Sequence, residues 1–307
     1  MARRAVPAVT AGDARERIEA VFADAGCNGW LHARVIGDTA ELSVRGEQPV
    51  VPASVYKVVL LVAAARAFDA GRLDPLARVV VDPAIATPGP TGVAALSDPV
   101  EMSVRDLLRS MIAVSDNAAA GVVMRLVGLD AVQATARGLG LHDTRIVGGD
   151  AEIHAAMMAE TDTRTVAEAF AALADDDLAR PVRAYDPSFG SATTATDMTA
   201  LLAAVWSDTA ASAEQCAFAR SALGGQVFRH RVASGFGSAP SIAGKTGTLG
   251  ALRNEVAVIG YPGEHPVAVA VFTHAARSDP SLPLVDAAIG RVAAIAVDAL
   301  RVPIDLE

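Results

Sequence analysis

The sequence predicts an α+β protein in which one antiparallel sheet, formed by both chain ends with flanking helices, packs on an all-helical subdomain. Three observations carry this prediction. Strand-like runs of period two occur near the start and again beyond residue 225, the stretch between them has helical periodicity, and no internal repeat or low-complexity linker divides the chain.

Taken in order, residues 14–26 read as a helix, and 30–36 and 40–44 as two strands parted by a Gly37-Asp38 turn. From Ser54 the pattern is helical. Residues 54–70 stop at Gly71, 104–113 carry Ser103 as a cap with Asp106 three residues on, and 117–127 stop at Gly128. Pro88, Gly89 and Pro90 mark a loop within this region. A helix at 131–138 precedes a stretch, 148–191, that loses periodicity except over 165–173, and so long an irregular stretch is usually functional or mobile. Helix 196–206 follows, with Thr194 as its cap and Asp197 three residues later. Strands at 241–246, 255–261 and 267–273 and a helix at 284–301 complete the chain. Residues 14–58 and 207–307 are therefore assigned to an α/β subdomain and 59–206 to a helical one, within a single domain spanning 1–307.

At 307 residues and 52% hydrophobic, the chain has enough apolar material for one large core or two closely packed subdomains. A net charge of -9 with scattered Arg leaves no basic surface for phosphate backbones, so nucleic acid is not an expected partner. Cys27 and Cys216 are the only cysteines, which excludes a disulfide framework or a thiolate zinc site and suggests two buried free thiols. The opening residues turn polar too soon for a signal peptide, so the chain as written is expected in the cytoplasm, or secreted if the true start lies upstream. The longest apolar run, 58–65, is far shorter than a bilayer span of about 20 residues and reads as a buried helix.

A residue count focuses the chemistry. Of 26 Lys and Arg residues only two are Lys, Lys57 and Lys245. Arg cannot lose its proton in a protein, whereas a desolvated Lys can. Ser54 and Lys57 are three apart at the start of a helix, which puts hydroxyl and amine on one face about a turn apart. The surrounding Val and Leu residues would lower the lysine pKa until a neutral fraction can take the serine proton, and backbone N–H groups at the helix start can face an oxyanion. Ser115-Asp116-Asn117 lies between two helices, where a hydroxyl can relay a proton and an amide can hold a carbonyl. Lys245-Thr246-Gly247-Thr248 ends a strand-like run and offers a cation, hydroxyls and open backbone to a carboxylate. Singly these have ordinary readings: a helix cap beside a surface charge, a polar turn, a strand end with a glycine bulge.

Together they fall in the order S-x-x-K, S-D-N, K-T-G and account for both lysines. On these motifs the chain resembles the class A β-lactamases and their penicillin-binding relatives. The segments SVRDLLRSMIAVSDNAAAGVV, SATTATDMTALLAAV and KTGTLGALRNEVAVIGYP extend the resemblance over roughly residues 14–302. It implies a β-lactamase/transpeptidase-like fold in which Ser54 is acylated, Lys57 and Ser115 handle its proton, and Asn117 holds a substrate amide. It further implies that Lys245 and Thr248, beside Thr246 and Gly247, face the substrate carboxylate, with Arg253 as a second contact. The N–H groups of Ser54 and Thr248 would form the oxyanion hole.

The resemblance weakens at the residue that activates the deacylating water, a Glu within a Glu-x-x-Leu-Asn pattern. Aligned without gaps, the Glu position falls on Asp150 and the Asn position on His154, while Glu152 stands two residues late. Asp is one methylene shorter, about 1.5 Å, and a misplacement near 1 Å can cost about 100-fold in rate. Asp150 as base implies slow deacylation unless the backbone compensates; Glu152, His154 or no residue are the alternatives. The 154–193 connection is also longer than the family's, and Asp175, Asp176, Asp177, Pro181 and Pro187 fit an exposed extension beside the site.

Three functions are consistent with these residues: a serine hydrolase of β-lactams, a cytoplasmic esterase, amidase or penicillin-binding-type peptidase, and a catalytically silent relative that binds a carboxylated ligand. No metal-ligand set or nucleotide loop is visible, so no cofactor is expected. His32, His142, His230, His265 and His274 read as surface or packing residues. The expected partner is a small-molecule substrate, and the expected state a monomer.

Overall fold

The computed structural model describes residues 11–174 and 183–304. The chain begins with α1 (Ala11–Asp24), β1 (Cys27–Val35), β2 (Glu41–Val44), α2 (Tyr56–Asp69), β3 (Arg78–Val81), β4 (Val100–Ser103), α3 (Val104–Ala113), α4 (Asn117–Val127) and α5 (Leu129–Gly138). It continues through α6 (Asp150–Thr161), α7 (Val166–Leu173), α8 (Ala195–Trp206), α9 (Ala213–Gly224), β5 (Ser241–Leu249), β6 (Leu252–Gly260), β7 (Val267–Ala275) and α10 (Pro283–Leu300).

Five strands form one antiparallel sheet in the order β2-β1-β7-β6-β5, so both ends of the chain contribute to it. β6 and β7 are buried on both faces, which is why they read as continuous apolar runs and not as alternation. On one face α1 and α10 bury Ile18, Phe22, Ile289 and Val292 against Val269 and Val271. On the other, Val256, Val258, Ala270 and Phe272 join an apolar cluster that continues through α8 and α2 to α3, α4 and α5. The sheet and the helices thus share one core. α8 and α9, on either side of residue 207, both pack against strands.

The run 58–65 is fully buried in α2, and the free thiols are half-buried at Cys27 and buried at Cys216. Ser103 and Thr194 cap α3 and α8 by accepting from the N–H groups of Asp106 and Asp197. Elsewhere the expectations need correction. Ser54 precedes α2, in a 3-10 turn over Ala53–Val55. The supposedly irregular region contains α6 as well as α7; apolar residues spread around α6 leave no 3.6-residue period. α9 was missed for the same reason, and the β3–β4 pair because its strands have four residues each and lie far apart in sequence. Asp175, Asp176, Asp177 and Pro181 lie outside the described residues. Among the described residues no single helix is long and apolar enough to cross a membrane.

Candidate active site

The site begins with the turn that carries Ser54. Ala53, immediately before it, has φ +46, a left-handed conformation that a residue with a Cβ adopts only under constraint. The constraint comes from β6 and β5. The Asn254 amide donates to the carbonyls of Val51 (3.0 Å) and Pro52 (3.2 Å), and Gly247 passes so close that a Cβ there would stand 2.7 Å from the Pro52 oxygen. Gly247 pairs regularly with Asn254 inside β5, so the glycine serves this close approach and is not a bulge.

One turn beyond Ser54, at the start of α2, Lys57 is completely buried. Its ammonium group donates to Asn117 Oδ1 (2.7 Å) and the Ser115 carbonyl (2.9 Å), lies 3.5 Å from Ser115 Oγ, and is 2.9 Å from Asp150 Oδ2. Ser115 has φ +59, between α3 and α4. Asp116 holds this corner: fully buried, it accepts from Ser110 Oγ (2.7 Å) and from the N–H groups of Val93 (2.7 Å) and Ala119 (3.2 Å). Asn117 also donates from Nδ2 to the Pro88 carbonyl at 3.0 Å, tying down the proline-glycine loop.

Lys245, on β5, is likewise fully buried and donates to Ser115 Oγ at 2.8 Å. The serine hydroxyl therefore stands between the two lysines. Behind it, Gln226 accepts from the Thr246 N–H (2.6 Å) and donates to buried Glu255 (2.7 Å). Thr248 is exposed to the cleft, and its Oγ1 accepts from Arg231 Nη2 at 2.8 Å. Arg231 is fixed by the Gly247 and Asn254 carbonyls and by Asp286 on α10, 2.6 Å from Nε. Arg253, the second carboxylate contact that the resemblance implied, lies apart from the cleft. Its guanidinium donates to the carbonyls of Gly250, Leu252, Asp279 and Pro280, outside the cleft.

Asp150 opens α6. Its Oδ2 accepts from the Tyr56 hydroxyl (3.1 Å) as well as meeting Lys57. Glu152 turns away and caps the same helix by accepting from the Gly149 N–H at 2.7 Å, so of the two acidic candidates only Asp150 reaches Lys57. His154, one turn further on, is buried with Nδ1 unpartnered, its ring edge-on to Phe170 of α7.

Several of these groups line a cleft of about 680 Å³. Ser54, Ser115, Asn117 and Asp150 form one part of it, Thr246, Thr248, Arg231 and His230 another, and Ile153, Val166, Phe170 and Leu249 an apolar wall. Burial pushes the Lys57 pKa down, partly opposed by Asp150; burial, reinforced by the Lys57 charge, pushes Lys245 well down. Burial and the neighbouring Asp150 carboxylate push Tyr56 well up, keeping its hydroxyl protonated to donate.

The structure thus gathers Ser54, Lys57, Ser115, Asn117, Asp150, Lys245, Thr246, Gly247 and Thr248, and leaves Glu152 and Arg253 apart. Sequence reasoning missed Tyr56, Arg231, Gln226, Asn254 and Glu255; His230, read as a surface or packing residue, is half exposed and lines the cleft. Of these, only Asn254 carried a signal, since Asn occurs three times in the whole chain.

A family model described as the Beta-lactamase enzyme family matches residues 13–300. The β-lactamase regulatory protein BlaB of Streptomyces cacaoi is 28% identical over 304 residues, 91% of this chain and 94% of that protein. A β-lactamase from Sphaerobacter thermophilus is 26% identical and superposes with a TM-score of 0.72 over 92% of this chain and 95% of its own. Two more distant structures show the fold alone. An ancestral class A β-lactamase has a TM-score of 0.76 at 21% identity, covering 94% of this chain and 100% of its own. PBP-A, known also as a variant in acyl-enzyme complex with penicillin G, has a TM-score of 0.72 at 18% identity, covering 92% and 94%. With the match running from residue 13 to residue 300, across the sheet, the helices and all three motif segments, the chain belongs to the β-lactamase enzyme family.

Proposed function

We propose that this protein is an active-site serine hydrolase that opens β-lactam amides through an acyl-enzyme on Ser54 and releases the acid by hydrolysis. One observation carries the reading: a single network joins Asp150, Lys57, Ser115 and Lys245, and its members Asp150 and Ser115 line an open cleft together with Ser54. In acylation the Ser54 oxygen attacks the lactam carbonyl, and its proton passes to Lys57 and, by way of Ser115, to the departing nitrogen. The N–H groups of Ser54 and Thr248 receive the oxyanion. Arg231, Lys245 and Thr248 take the substrate carboxylate, and Asn117 its side-chain amide. In deacylation Asp150 accepts the proton of the attacking water.

Intact mass spectrometry with benzylpenicillin over time tests the proposal. The wild-type protein gains one penicillin mass on Ser54 and loses it again, Ser54→Ala never gains it, and Asp150→Asn keeps it. A wild-type protein that never carries the adduct overturns the reading.

The likeness to BlaB supports a second reading, in which the same cleft binds a carboxylated ligand for regulation without turnover. Saturable binding of benzylpenicillin by dialysis, with no covalent adduct, would select it. Turnover of small esters with little β-lactam hydrolysis would instead point to an esterase.

A further inference from the structure

The mechanism just described leaves Tyr56 without a part, although it is almost wholly buried and hydrogen-bonded to the proposed base. Its hydroxyl donates to Asp150 Oδ2 at 3.1 Å, and Lys57 Nζ is 2.9 Å from that same oxygen. Oδ1 accepts no hydrogen bond among the described residues, and Asp150 lines the cleft. The backbone is fitted to the hydroxyl as well: at Gly149, the residue before α6, a Cβ would stand 3.1 Å from the Tyr56 oxygen.

Two donors on one carboxylate oxygen, from adjacent residues of one helix, fix the carboxylate plane and leave the other oxygen to face the cleft. We infer that Tyr56 is a positioning residue for deacylation, anchoring the short side chain of Asp150 so that Oδ1 meets the hydrolytic water. The inference rests on the serine acyl-enzyme proposed above. In the step concerned, the water oxygen bonds to the acyl carbon and its proton goes to Asp150. The carbon–Oγ bond of the Ser54 ester then breaks, Lys57 gives a proton to Oγ, and Lys57 recovers one from Asp150. A free acid and a free serine result. Without the tyrosine hydroxyl the carboxylate can rotate about its χ2 bond, and the water loses its acceptor.

The test measures acylation and deacylation separately, by rapid-quench mass spectrometry with benzylpenicillin, on the wild-type protein, Tyr56→Phe and the double variant Tyr56→Phe/Asp150→Glu. Tyr56→Phe is expected to acylate within about threefold of wild type and to deacylate about 10- to 100-fold more slowly. The double variant is expected to recover most of that loss, because the added methylene, about 1.5 Å, carries a carboxylate to the water without the anchor. Lengthening residue 150 would not repair a defect of folding. Wild-type deacylation in Tyr56→Phe, an equal loss in both steps, or no recovery in the double variant overturns the inference. A wild-type adduct that persists overturns it while leaving Ser54 acylation standing. No wild-type adduct at all overturns the serine reading and the inference together.

Discussion

Arg231 and Arg253 sit within one polar knot around Asp286, yet only Arg231 reaches the cleft. Arg231→Ala is expected to raise KM about 10- to 100-fold for a carboxylated substrate and to leave kcat less affected. A carboxylate-free ester, measured in parallel, should show no such rise. Arg253→Ala should instead lower the denaturation midpoint and leave KM near wild type, because four backbone carbonyls lose their donor. The two lysines were legible because an Arg-rich chain uses Lys nowhere else. Arg231 was not, since nothing local marks it: its contact with Thr248 spans 17 residues and exists only once β5 is folded. Asp150 was legible as a candidate, but its choice over Glu152 needed the helix start, where one carboxylate caps the backbone and the other turns inward.

Whole elements shape the cleft without entering it. α10 contributes no side chain to the lining but holds Arg231 through Asp286. Asp286→Asn is expected to raise KM for the same carboxylated substrate several-fold, and the dependence on ionic strength should steepen as the guanidinium loses its carboxylate partner. The α3–α4 corner depends likewise on Asp116. Replacing it with Ala leaves Ser110 and the N–H groups of Val93 and Ala119 unpaired, and chemical denaturation should register a loss of about 3 kcal/mol. Elements with strong periodicity or cap residues, such as α3, α4 and α8, were readable to within a residue or so. α6 carries no such pattern, and there tertiary packing decides: its Ile153 and Met158 join Phe170 and Leu173 of α7, whose range was readable, in one apolar cluster.

At the scale of the whole molecule, burial holds His32, His154, His230 and His274 below the ordinary imidazole pKa of 6.5. Each of these imidazoles therefore binds a proton less readily in the native state than in the unfolded chain, and its contribution to stability is lost as pH drops below that value. Urea midpoints measured between pH 7.5 and pH 5 should decline accordingly, with His32, hydrogen-bonded to Thr199 in the core, a main contributor. His32→Gln should flatten the slope.

The complete burial of Lys57 and Lys245 also governs how this protein meets amine-directed reagents. Every lysine in the sequence is inside the fold, so a native surface rich in Arg offers succinimidyl esters or aldehydes no side-chain amine. Cross-linking through lysine should fail on the folded protein. Lysine labelling read by peptide mass mapping should instead count molecules that have opened, which makes the two site residues built-in reporters of unfolding.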